Sequence, residues 1–263
     1  MANAYVAIMK TKAKIFHKTR FGDKTPLHAG RLGQIFNDFP EAKVIHVIRD
    51  PRATVASLMK MPWAASSIGL NSLFCLMNMK ATKPFRDKIL EVKLEHLLAK
   101  PRQIISTVMD FVQEPWSDSL LEHHLHTPTG DVPRFPWFEK AHGPLRNPRG
   151  DPAWKSELSP AWIRNIELLH SHMMRQYGYE RCELETEPTF IQRQAARIQD
   201  LPEVVRSLAH RKRLLRVTTG NRVADPREVL ALLLQFNPQA WSHYPDFVMP
   251  AILKGSNRNK IND

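Results

Sequence analysis

The run Val44-Ile45-His46-Val47-Ile48, followed at once by Arg49-Asp50-Pro51-Arg52, constrains this chain most. Five residues rich in β-branched side chains, with no turn former among them, suit a buried strand of a parallel sheet. Asp50 is a good helix N-cap and Pro51 suits the first helical position, so a helix over Ala53–Met59 is expected directly after the strand. A parallel strand feeding a helix through a short turn is the repeating unit of an α/β fold. Such a turn is also a natural anion site, and Arg49 emerges there with a fork of donors suited to phosphate. Helix capping by itself accounts equally for Asp50-Pro51, and Ser57 on a surface helix needs no ligand to explain it.

Around this unit the sequence reads as alternating elements. Met1–Arg20 has Val6, Met9, Ala13 and Phe16 at helical spacing with lysines between them, a basic amphipathic helix. Phe21–His28 is a loop, Arg31–Phe39 a short helix stopped by Pro40, Ile89–Leu94 a second strand and Pro101–Val112 a helix with an apolar face. Residues 127–151 are rich in Pro, Gly and Arg and read as a long loop. Ser159-Pro160 opens a helix over Ala161–Tyr177, and Gly178 closes it. Beyond an acidic linker at Glu180–Pro188, helices are expected around Phe190–Gln199, Pro202–Leu215 and Pro226–Phe236, with a disordered tail at 255–263. The expected division is residues 1–179 as an α/β domain and 180–263 as a helical extension.

Composition narrows the partners. The chain has 263 residues and a formal net charge of +12, which favours an anionic partner: nucleic acid, an acidic membrane surface or a phosphorylated cofactor. The excess lies mainly before Glu180, because residues 180–263 hold 13 Lys and Arg against 10 acids. Two cysteines, Cys75 and Cys182, are too few for a disulfide framework. Glu122-His123-His124-Leu125-His126 has no partner motif and adjacent helical histidines diverge by about 100°, so no metal is expected. The basic cluster from Arg211 to Arg216 lacks the interleaved aromatics of a stacking platform, so no nucleic acid is expected either. The stretch Met61–Met79 contains a proline, two asparagines and three serines and is rejected as a membrane span. With no apolar secretory core in Met1–Lys14, cytoplasmic residence is expected.

The segment from Val44 to Ser57 resembles the sulfotransferases that use 3'-phosphoadenosine-5'-phosphosulfate, in which an apolar strand is followed by Arg-(Asp/Asn)-Pro with Ser eight residues after the Arg. Gly22-Asp23-Lys24-Thr25-Pro26-Leu27-His28 is similar to the Lys-Thr-Pro-x-His loop of bacterial-type members. Gly150-Asp151, Trp154-Lys155, Leu158-Ser159-Pro160 and Tyr177-Gly178-Tyr179 are similar to the C-terminal pattern of the family. The resemblance covers roughly residues 21–179. It implies a P-loop-NTPase-like sulfotransferase fold, a mostly parallel sheet flanked by helices and here incomplete at its N-terminal side.

By that resemblance Arg49 and Ser57 bind the 3'-phosphate of the nucleotide, and Arg146 and Gly150 belong to the basic loop that meets the cofactor. Sulfuryl transfer places negative charge on the leaving nucleotide, which an ammonium would stabilise, and Lys24 is the candidate. His28 is the candidate base for the acceptor hydroxyl; a loop histidine bonded to backbone is the other reading. The implied reaction moves a sulfuryl group to a hydroxyl or amine of a small-molecule, glycan or lipid acceptor. The chain departs from the family where Leu94-Glu95-His96 replaces Tyr-Glu-Asp. Met1–Arg20 also holds no glycine and no strand–loop–helix pattern that would supply the 5'-phosphosulfate loop. Two explanations stand, a shortened enzyme and a degenerate relative using half the site, the latter a catalytically inactive basic protein that binds nucleotide or polyanion.

Overall fold

The structure is a computed structural model and describes residues 2–126, 143–145, 152–203, 205, 206 and 209. Its elements, in chain order, are helix α1 (Ala2–Ile15), a 3-10 turn (Pro26–Arg31), α2 (Leu32–Asp38), strand β1 (Val44–Ile48), α3 (Pro51–Met59) and α4 (Ile68–Thr82). A second 3-10 turn (Lys83–Lys88) leads into strand β2 (Ile89–Lys93), α5 (Leu94–Ala99), α6 (Pro101–Val112) and the one-turn α7 (His123–His126). The short α8 (Trp154–Glu157), α9 (Pro160–Gln176) and α10 (Phe190–Ile198) complete the described helices. The expected α/β class is borne out, in a mostly helical form with one small sheet. The expected helices around 202–215 and 226–236 and the tail at 255–263 lie mostly or wholly outside the described residues.

β1 and β2 pair in parallel, Val44 opposite Ile89 through Ile48 opposite Lys93. Parallel neighbours cannot be joined by a hairpin, and here the crossover contains α3 and α4, which pack on each other. One expectation is corrected. β1 is not covered on both faces: Ile48 is buried, but Ile45 is 38% and Val47 54% exposed. Helix α6 packs on β2, and alternate residues of β1 face outward as on the open side of a sheet.

The core sits under the crossover. Val55 and Ala56 of α3 pack with Trp154 and Leu158 around α8, and with Ile163 and Ile166 of α9. Helix α4 packs against α3, α9 and α10. Much of the 61–79 stretch, rejected above as a membrane span, belongs to this helix. Residues 68–82 form a 15-residue helix with Gly69, Asn71 and Ser72 buried. Its N-cap is Ser67, whose hydroxyl accepts the Leu70 N–H and itself donates to Asp200. α9 begins and ends as expected: Pro160 opens it, and Gly178 at φ +66° closes it, with the Tyr179 N–H bonded to the Met174 carbonyl at 2.8 Å. Among the described residues no helix is long and apolar enough to cross a membrane.

Candidate functional site

The turn after β1 is built by a set of buried ionic bonds. Asp50 caps α3 by accepting the Arg52 N–H at 2.8 Å. The same carboxylate takes the Arg52 side chain in a two-pronged grip, Nε to Oδ1 at 3.1 Å and Nη2 to Oδ2 at 2.7 Å. Arg52 Nη1 then reaches Glu167 of α9 at 2.7 Å, and the guanidinium lies 4.0 Å over the Trp154 ring. Glu167 is fully buried and also accepts the N–H groups of Cys182 at 2.9 Å and Glu183 at 3.0 Å. Burial disfavours the Arg52 charge, but the bonds and charges of Asp50 and Glu167 outweigh it, so its pKa is raised.

A second carboxylate fastens the turn from the other side. Glu95 Oε1 accepts the Asp50 N–H at 3.0 Å, and Oε2 accepts the Tyr179 hydroxyl at 2.9 Å. Burial and the Glu95 charge push the Tyr179 phenol upward, with the Arg49 charge opposing them. Lys93 donates to the Tyr177 carbonyl at 2.7 Å and sits 4.4 Å over the Tyr179 ring. The departure Leu94-Glu95-His96 therefore keeps the one residue of its triplet that holds this turn.

Because Ile48 and Asp50 point inward, Arg49 points out. It is exposed and makes no hydrogen bond or ion pair among the described residues. Ser57 lies two turns along α3, half-buried. Lys24 and His28 sit on a separate segment, the loop and 3-10 turn that pack against α4. Asp23 organises that loop: it accepts the Thr25 hydroxyl at 3.0 Å and the Tyr5 hydroxyl at 3.3 Å, and lies 3.6 Å from His28 Nε2. Lys24 is exposed and His28 half-exposed. Both segments lean on α4, and no bond joins one pair of candidate residues to the other. Arg146 and Gly150 lie outside the described residues. Among the described residues no group of His, Cys, Asp or Glu is arranged to hold a metal.

A cavity of about 300 Å³ opens beside the strand ends, lined among others by Ile48, Val92, Lys93, His96, Ile104 and Tyr177. None of Lys24, His28, Arg49 or Ser57 lines it. The residues missed at the site are Arg52, Glu95, Glu167 and Tyr179. For Arg52 a signal existed, since an Arg two places after an N-cap Asp can turn back onto it. The other three come from distant parts of the chain.

Residues 2–118 match the Sulfotransferase family, and this segment holds β1, the Arg49–Arg52 turn and the 22–28 loop. It is 26% identical over 123 residues to a protein-tyrosine sulfotransferase of Drosophila melanogaster, covering 42% of this chain and 25% of that one. It is 30% identical over 110 residues to protein-tyrosine sulfotransferase 1 of Danio rerio, covering 38% and 31%. An uncharacterized protein of Aquifex aeolicus is 28% identical over 117 residues, covering 40% and 15%. The chain thus spans less than a third of the length of these curated relatives. The family match ends before Trp154 and the rest of the C-terminal pattern.

Proposed function

We propose that this chain carries the nucleotide-holding part of a sulfotransferase site, using 3'-phosphoadenosine-5'-phosphosulfate as donor and a hydroxyl group as acceptor. The observation that carries the proposal is Arg49, exposed and without a bonded partner among the described residues, on a turn whose neighbours are locked. Arg52 engages the carboxylates of both Asp50 and Glu167, so neither carboxylate competes for the Arg49 guanidinium. A rigid turn presenting a free cation at a helix N-terminus favours a phosphate without reorganisation.

In this reading Arg49 and Ser57 hold the 3'-phosphate. The Lys24 ammonium stabilises charge on the departing nucleotide, and His28, oriented by Asp23, takes the acceptor proton. Two relatives are named for protein tyrosine, so a phenolic hydroxyl is the acceptor to assay first. The test is calorimetric titration with 3'-phosphoadenosine-5'-phosphate. Micromolar binding, weakened tenfold or more in Arg49→Ala (about 1.4 kcal/mol or more), supports the assignment. Equal affinity in parent and variant overturns it.

A further inference from the structure

Helix α1 and the turn behind it carry the densest unanswered charge among the described residues. From Met1 to Arg20 there is no Asp or Glu, and Lys10, Lys12, Lys14 and Lys18 stand among apolar residues. All four lysines are exposed, and none has an ion-pair or hydrogen-bond partner among the described residues. Arg20 is different: it is bound to the Val112 carbonyl at 2.7 Å and to Glu114, which ties the segment to the end of α6. Tyr5 adds a second tie, with its ring 6.4 Å from Phe21 and 6.2 Å from Phe39.

The apolar residues of α1 divide into two faces. Val6, Met9 and Ala13 are half-buried and face the protein. Ile8 and Ile15, roughly 20° apart at about 100° per residue, lie on the other side and are each 67% exposed; Phe16 is 49% exposed. Lys12 and Lys14 flank this outward stripe on either side. Exposed isoleucines between lysines, on a helix that itself carries no acid, are the pattern of a helix that lies in a membrane interface. The apolar side chains enter the headgroup boundary, while the lysine stems run along them and their ammonium groups reach lipid phosphates.

We infer that this face of α1 docks on an anionic lipid bilayer. A second copy of the chain is a poorer occupant, because pairing the stripe with itself would set the lysines of two copies against one another. A nucleic acid uses cations and stacking rings, and leaves two exposed isoleucines without purpose. The inference does not depend on the sulfotransferase reading.

The test is sedimentation of the full chain with vesicles of phosphatidylcholine, with and without phosphatidylserine. Binding is expected only with phosphatidylserine, weakening about fivefold for each of Lys12→Gln and Lys14→Gln. It is expected to vanish in Ile8→Asp/Ile15→Asp, with circular dichroism unchanged. Lys83→Gln and Lys100→Gln, exposed lysines elsewhere, are expected to leave binding intact. The inference is overturned by absence of binding, by binding that survives the isoleucine substitutions, or by an equal loss in the distant lysine variants. A dimer that the isoleucine substitutions turn into a monomer would also overturn it, since the stripe would then join two copies.

Discussion

Arg52 and Glu167 stand 115 positions apart in the chain and meet at 2.7 Å in the core, where each is almost wholly removed from water. This ion pair joins the turn after β1 to the middle of α9. Removing one partner leaves the other charge buried, a loss of about 3–5 kcal/mol. Glu167→Ala is therefore expected to lower the urea midpoint of unfolding sharply, because the N–H groups of Cys182 and Glu183 are orphaned as well. A variant as stable as the parent would show that the pair does not hold the core.

Glu95 is expected to matter more than the residue it binds. Glu95→Ala deprives both the Asp50 N–H and the Tyr179 hydroxyl of an acceptor, for a loss of about 2–3 kcal/mol. Tyr179→Phe removes only one bond, about 1 kcal/mol. Paired denaturation curves check the order, and a reversed order would contradict the geometry.

His170 gives the fold an acid limit. It is fully buried against Ser72, and burial lowers its pKa to about 4. In the unfolded chain it titrates near 6.5, so the unfolded state binds more protons between these values. Its contribution is complete above about pH 6.5 and is lost as pH falls toward 4, on the order of 3 kcal/mol. His170→Gln is expected to flatten the stability profile across that window. An unchanged slope would mean that other groups set it.

The segment after α10 is expected to be sensitive to a single methyl group. A Cβ at position 69 would stand 2.9 Å from Asp200 Cβ. Asp200 there accepts the Ser67 hydroxyl and the Gly69 N–H, closing the start of α4. Gly69→Ala is expected to cost about 1–3 kcal/mol through overpacking and to speed proteolysis around residue 200. Unaltered cleavage would show that the contact is dispensable.

How far the sequence disclosed this structure depends on how local each signal was. β1, its turn, the Pro51 start of α3 and both ends of α9 were legible because each rests on neighbours within a few residues. α4 was not, since a helix packed on several sides loses the single apolar stripe by which helices are recognised. Arg49 was legible as an exposed phosphate candidate. The bonds that hold it outward were not, because Glu95, Glu167 and Tyr179 reach the turn from 45 or more positions away. The exposure of Ile45 and Val47 could not be read from the run itself, because what covers a strand comes from distant parts of the chain.

The parallel pairing of β1 with β2 also has a consequence for how the chain is made. About 40 residues separate the two strands, and none of the pairing is possible until the second has emerged. At roughly 5–20 residues per second of synthesis, β1 waits on the order of several seconds for β2. Its Ile45 and Val47 stay open even after β2 arrives. Of the two described strands, the nascent chain therefore offers a chaperone residues 44–48 the longer, well before Glu167 arrives to pair with Arg52.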